Sequence, residues 1–351
     1  MKTMKTMKTM RIMSLLLIIF FSSCSKDNPT PLAYDSLYEN GYFVTNEGTF
    51  GNGNASISFV DENGFVENDV FISNNSFSLG DIVQSMSIIN SNAYIVVNNS
   101  AKIEVASVDS MKSIATIDAG SPRYIAKVSD NKAYITDWSI NGVHILDLNS
   151  NNINSTINCG IGPEAIAVSN GYAYVCNVGG WGLDNTISII NISNDMVEKT
   201  LTVGDKPNSI VVDVSGAVWV LCGGYTEYDP TDWSIISQTA GSLVKIVNNN
   251  IELTYNFDVG YSPGDLVIND AGTDLYFSNN GVYSMSISDL QLPTMPVINR
   301  SFYGLGYNDG YIYGTDAVDY VQQGWSFRYT SNGNIIDSIQ VGIAPGGYCF
   351  N

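Results

Sequence analysis

The chain has 351 residues, 44% hydrophobic, 11% aromatic and only 14% charged, against roughly 25% charged in typical soluble domains. Lys and Arg number 15 against 34 Asp and Glu, a formal charge of -19, and four of the bases (Lys2, Lys5, Lys8 and Arg11) fall in the first 23 residues, where there is no acid. The remainder repels phosphate backbones and anionic bilayers, which excludes nucleic-acid binding; a single histidine, His144, excludes multi-histidine metal centres, and the apolar content excludes a disordered chain.

Residues 1–23 read as a signal peptide: a basic start to Arg11, then an apolar stretch over 12–21 that is about half the ~20 residues a bilayer span needs. The triplet Met-Lys-Thr occurs three times, and Met10 begins a complete signal by itself. Phe21-Ser22-Ser23-Cys24 resembles the lipobox of bacterial lipoproteins, which implies that Cys24 is lipidated and becomes the new amino terminus. Ser25-Lys26-Asp27 resembles the surface-export signal of Bacteroidota lipoproteins. Residues 24–39 are polar, contain Pro29 and Pro31, and read as a flexible tether. The expected location is therefore the outer membrane, lipid-anchored and surface-exposed.

Residues 40–351 form a repeat. A Gly-x-x-Pro corner recurs as Gly160-Ile161-Gly162-Pro163, Gly204-Asp205-Lys206-Pro207, Gly260-Tyr261-Ser262-Pro263 and Gly342-Ile343-Ala344-Pro345, with the shorter Gly120-Ser121-Pro122. After each corner come a short apolar run, a turn and an aromatic strand, as at 93–98, 133–137, 173–177, 218–221, 275–279 and 312–316. Third strands follow, among them 103–106, 143–146 and 187–190, and fourth strands close several units. Four short strands in about 40 residues is the pattern of a propeller blade. Six units run from 82 to 344. The seventh is split, with its first strand at 347–350 and its others at 41–46, 55–60 and near 66–71. The expected fold is an all-β, seven-bladed β-propeller with four-stranded blades, closed by pairing of N- and C-terminal strands, which removes an exposed sheet edge. The 38 Asn and 32 Gly fit the left-handed turns that tight strand connections need.

Loops joining strand two to strand three share a face with the connections between blades, around the central channel. They are tight in blades two and six (98–100 and 279–281) and longer elsewhere: 46–54 in blade one, 137–141 in three, 177–185 in four, 223–242 in five and 316–326 in seven. This reading gathers a rim of candidate ligand-binding residues: Asn46, Glu47 and Phe50; Trp138; Trp181; Tyr225, Tyr228 and Trp233; Tyr320 and Trp325. Exposing an indole forfeits on the order of 2–3 kcal/mol of burial, so several on one rim point to a binding surface. Inner-strand starts bring Arg123, Glu164, Asn208, Asp265 and Phe302 to the channel mouth, and Arg123 is the one assigned to ligand, as a donor to a carbonyl or phosphate. Pairing with a neighbouring carboxylate is its alternative role.

Catalytic signatures are sparse. Cys159, Cys176, Cys222 and Cys349 form no C-x-x-C and read as buried thiols. His144 alternates with Val143 and Ile145 and reads as structural. No nucleophile motif, phosphate loop or dinucleotide fingerprint occurs. Glu227, Asp229 and Asp232 suit calcium chemically but not at EF-hand spacing, so no catalytic residue, metal or cofactor is assigned.

The stretch Gly41-Tyr42-Phe43-Val44-Thr45-Asn46-Glu47-Gly48-Thr49-Phe50-Gly51-Asn52-Gly53-Asn54 resembles the opening blade of YncE-like propeller lipoproteins of Bacteroidota. The repeated Tyr-Val/Ile-x-Asn strands and Gly-x-x-Pro corners are similar throughout 41–351. Some members are BtuG-like and sit above a TonB-dependent cobalamin transporter. The resemblance implies a non-enzymatic surface lipoprotein that captures a nutrient, cobalamin or another corrinoid being favoured, for delivery to such a transporter. It supplies no residue-level ligand motif. Two other classes remain open: a glycan- or protein-binding adhesin using the same rim, and a hydrolase or lactonase needing a base such as His144 or a metal inside the channel.

Overall fold

The computed structural model describes residues 38–351. The expected signal peptide, Cys24 and the tether as far as residue 37 lie outside the described residues. Tyr38, assigned to the tether, is fully buried against Phe43 and Phe59 of the first blade.

Blade one runs from the channel outwards as Pro345–Phe350, Gly41–Asn46, Ser56–Asp61 and Val66–Glu67. The strand from the carboxyl end pairs antiparallel with the first strand of the domain, Tyr42 opposite Phe350 and Val44 opposite Tyr348. Blade two is Val83–Ile89, Asn92–Val97, Lys102–Ser107 and Ser113–Asp118; blade three is Pro122–Ser129, Lys132–Asp137, Gly142–Asp147 and Asn152–Asn158. Blade four is Pro163–Ser169, Tyr172–Asn177, Thr186–Asn191 and Met196–Thr202; blade five is Pro207–Val212, Val218–Cys222, Ser242–Val247 and Asn250–Asn256. Blade six has Leu266–Ile268, Asp274–Ser278 and Val282–Ser286, its fourth position held by a single bridge from Ile298 to Val282. Blade seven is Leu305–Asn308, Tyr311–Asp316, Gln323–Thr330 and Ile335–Ile343. Each innermost strand touches the innermost strand of the next blade, and the last touches the first, so the ring closes.

The sequence dictates the position of each strand within a blade. Second strands such as Asn92–Val97 and Tyr172–Asn177 are buried at five of six positions, because a neighbouring blade covers each face. Fourth strands such as Met196–Thr202 alternate exposed and half-buried side chains. In that strand Glu198, Thr200 and Thr202 face water and blunt the sheet edge. Proline opens the inner strands of blades one, three, four and five, where its missing N–H costs no ladder bond.

Two segments differ from expectation. The fourth strand of blade one stops at Glu67, and a short helix, Val70–Asn75, follows. Asp69 takes a left-handed φ of 59° that ends the strand, and the helix turns Val70 and Phe71 into the core. The side chains of Asn74 and Asn75 donate to the carbonyls of Val70, Phe71 and Met111, holding it there. The long 223–242 connection is not an open loop. It forms a hairpin of Tyr225–Tyr228 and Ile235–Thr239.

Candidate binding site at the channel mouth

In blades one to five the loop between second and third strands is hydrogen-bonded to the connection entering the same blade. Trp138 N–H donates to Ser121 O (3.0 Å), Val178 N–H to Gly162 O (3.0 Å), Gly223 N–H to Lys206 O (2.9 Å) and Glu47 N–H to Ala344 O (2.9 Å). These bonds place both sets of loops on one face. The corner before the inner strand is left-handed, at φ 60° for Gly162, 53° for Lys206 and 49° for Ala344. At Gly162 glycine is required twice over, since a Cβ would lie 2.0 Å from the amide nitrogen of Gly180 as well as in a disfavoured conformation.

Between these loops lies a cavity of about 640 Å³, within the range of small-molecule sites. Its aromatic walls are Tyr124, Trp138, Phe302 and Tyr303, and its polar groups include Arg123, Glu164, Lys206, Asn208, Asp265 and Asn279. Beneath it the central channel forms a second cavity of about 270 Å³. Tyr124, Asn208 and Asp265 line both and make the neck between them.

Arg123 is fixed from two sides. Its Nε and Nη2 each donate to a Glu164 carboxylate oxygen at 2.8 Å, and its guanidinium lies 4.2 Å from the Trp138 ring centre. Burial opposes its charge, but Glu164 outweighs that and raises its pKa. The carboxylate pairing anticipated as its alternative role is thus formed, while the guanidinium face still lines the cavity. Trp181 meets Trp138 edge to face at 5.9 Å and 80° and is 97% exposed. The Tyr303 hydroxyl donates to Glu47 at 3.0 Å. Burial raises the Glu47 pKa, against the Tyr303 bond and the charge of Arg123. Lys206 lies 5.7 Å from the Tyr225 ring and donates to Gly182 O at 3.1 Å. Burial pushes the Asp265 carboxyl up to about 7, and only the Leu305 amide favours its ionised form.

Of the residues expected at the site, Arg123 and Trp138 line the cavity. Trp181 joins it through Trp138, Glu47 through Tyr303, Tyr320 by an edge contact to Tyr303 at 5.3 Å, and Tyr225 through Lys206. The others are elsewhere. Asn46 is fully buried, its amide donating to Ser56 and Ser58, so it latches blade one together. Phe50 is 73% exposed on a loop pinned by the bond from Gly51 N–H to Asp81. Tyr228 and Trp233, the latter 75% exposed, sit at the far end of the blade-five hairpin. Trp325 lies not in a loop but in the third strand of blade seven, opposite Gln340 and Asp316. The indoles therefore converge as one pair, Trp138 and Trp181, not as a rim of four. The inner-strand starts Arg123, Glu164, Asn208, Asp265 and Phe302 all face the cavity. Tyr124, Tyr303 and Lys206 were not singled out, although each adjoins a residue that was, or stands inside a corner motif.

His144 is used by the scaffold: its Nε2 lies 3.1 Å from Asp137 Oδ2, in blade three. The four described cysteines are unpaired, and burial pushes their thiols up, Cys222 to about 11 and Cys159 to about 12. Glu227 accepts from the Ser237 hydroxyl, while Asp229 and Asp232 accept from the Thr231 and Ser234 amides. All three carboxylates thus brace the hairpin and its turn.

The fold is shared with structures of low sequence similarity. A quinonprotein alcohol dehydrogenase-like protein from Bacteroides thetaiotaomicron is 16% identical, with a TM-score of 0.66 over 90% of this chain and 79% of its own. A functionally unknown protein from Desulfotomaculum acetoxidans is 15% identical, with a TM-score of 0.63 over 88% and 98%. Hydrazine synthase from Kuenenia stuttgartiensis is 13% identical, with a TM-score of 0.59 over 76% and 88%. No curated protein matches the sequence. Residues 40–341 match the domain of unknown function DUF5074, and the chain belongs to that family.

Proposed function

We propose that this propeller is a binding protein, not an enzyme, and that its channel mouth captures a nutrient, with cobalamin or another corrinoid favoured. One observation carries the reading: an open cavity of about 640 Å³ at the end of the channel, walled by Trp138, Tyr124, Phe302 and Tyr303. A corrinoid offers a broad face to stack on the Trp138–Trp181 pair, carboxamides for Asn208 and Asn279, and a phosphate for Lys206 at the lip. The corners and loops are already hydrogen-bonded to one another, which limits the ordering cost of binding. The one histidine is engaged with Asp137, which favours binding over acid–base chemistry. Lipidation at Cys24 would anchor the chain at the outer-membrane surface, where it would hand its ligand to a TonB-dependent transporter. Titration calorimetry with cyanocobalamin tests the ligand, with a glycan array in parallel, since sugars also stack on aromatic walls. Heat with the corrinoid supports this reading; glycan binding without it favours the adhesin-like alternative. Radiolabelled palmitate incorporation that disappears in Cys24→Ser tests the anchor.

A further inference from the structure

We propose that the neck between the mouth and the channel is a subsite for an N–H donor of the ligand, a primary carboxamide or ammonium group, received by the Asp265 carboxylate. This deepens the capture reading and rests on it. Four features converge. Asp265, Asn208 and Tyr124 are the residues common to the upper cavity and the channel, so a group passing inward meets them. Acceptors there are short of donors: Asp265 has the Leu305 amide alone, Asn208 gives its amide N–H to Pro263 O (3.1 Å), leaving its Oδ1 without a partner, and the Asn279 Oδ1 of the upper cavity is also unpartnered. Neither cation at the mouth pairs with Asp265, since Arg123 is bonded to Glu164 and Lys206 to Gly182 O. Asp265 is the one ionisable carboxylate among the residues lining the channel, whose other polar groups include Gln84, Ser85 and Ser87. A buried acceptor without a donor costs free energy until a donor arrives, and a carboxylate is the strongest acceptor available. A ligand carbonyl or carboxylate would instead meet acceptor against acceptor.

The charged and titratable groups around Asp265 pair with one another rather than with it. Tyr124 and Tyr303 both face it, and burial raises both phenols well above neutral pH. Glu164 is held by Arg123, and Glu47 by Tyr303. With Asp265 titrating at about 7, an ammonium group should bind about tenfold more tightly at pH 8 than at pH 6. A carboxamide should lose less, because a protonated carboxyl still offers a carbonyl acceptor.

The test uses methylammonium and acetamide as probes, with tetramethylammonium as a cation lacking N–H. The Asp265 side-chain carboxyl resonance is followed by NMR on the whole propeller. A saturable shift with methylammonium or acetamide, absent with tetramethylammonium, is the expected result; which probe acts tells the two donor classes apart. Asp265→Asn should weaken methylammonium binding at least tenfold in calorimetry while unfolding cooperatively. No shift with either probe, or an equal shift with tetramethylammonium, overturns the subsite. Cyanocobalamin binding that is equal in wild type and Asp265→Asn from pH 6 to 8 also overturns it but leaves the capture reading standing. Shifts with the probes but no heat with cyanocobalamin remove the corrinoid and leave the neck in place.

Discussion

Asp137 in blade three and Asp265 in blade six are two withdrawn carboxyls with opposite surroundings. Asp137 accepts from the amides of Gly120 (2.9 Å), Ser121 (3.0 Å) and Ser139 (2.7 Å) and from the Ser139 hydroxyl (2.6 Å), and it faces His144. Burial alone would raise its pKa, but His144, Ser139 and Ser121 outweigh burial and lower it. Asp265 has one backbone amide in its favour, and burial wins. The difference is the number of donors, and it separates two uses of a buried polar group. A carboxylate surrounded by donors ties loops together; one left short of donors is free to receive a ligand. Asn46 and Asn177 tie the scaffold by donating rather than accepting, since each gives its amide N–H to a hydroxyl of the adjacent third strand, Ser58 and Ser188 respectively.

The largest effect should come from removing the satisfied group. Asp137→Ala leaves three amide N–H groups and His144 without their acceptor, and urea unfolding should record a loss of about 3–5 kcal/mol. Because the folded pKa of Asp137 lies below its unfolded value, its stabilisation is present above about pH 3.9 and is lost as pH falls through the folded value. Asp137→Asn should therefore flatten the acid limb of the stability curve.

Trp138→Ala acts on the binding side. It removes the face on which Arg123 lies and the partner of Trp181, so ligand affinity should fall at least tenfold, roughly 1.4 kcal/mol or more, in calorimetry on protein whose circular dichroism is unchanged.

Asp265→Asn should sharpen the comparison with a stability change opposite in sign to that of Asp137→Ala. A raised folded pKa means that the contribution of Asp265 is complete below its unfolded value, near 3.9, and is lost as pH rises through about 7. Wild type and variant should unfold alike near pH 4, and by pH 8 the variant should be the more stable by about 1 kcal/mol, allowing for water in the channel. A more stable variant that binds less well is the usual mark of a site group. The smallest effect belongs to Trp233→Ala at the hairpin end, where stability should move by less than about 0.5 kcal/mol and ligand affinity by less than about threefold.

The ring was legible because its determinants are local and repeated. Corner prolines open the inner strands of blades one, three, four and five, and aromatic second strands are buried on both faces by the next blades. The site was half legible for the same reason: inner-strand starts are set by the repeat, so Arg123, Glu164, Asn208, Asp265 and Phe302 could be placed at the mouth. Loop residues obey no such period. Trp325 was read as a loop residue although it continues strand pairing opposite Gln340, and Asn46 was read as a ligand residue because its Ser58 partner becomes visible only once the strands are in register. The hairpin had a sequence signal in the apolar and Thr/Ser pattern around Asp229-Pro230. Which buried acceptors lack donors depends on contacts between blades, such as that of Asn208 with Pro263, 55 residues apart in sequence, and only coordinates reveal it.

The most direct measurement is calorimetric titration of cyanocobalamin into the intact propeller, beside Trp138→Ala and Trp233→Ala. A single saturable heat in wild type, at least tenfold weaker in Trp138→Ala and unchanged in Trp233→Ala, is expected if the channel mouth captures the corrinoid. No heat in wild type, or the same affinity in Trp138→Ala, would contradict it.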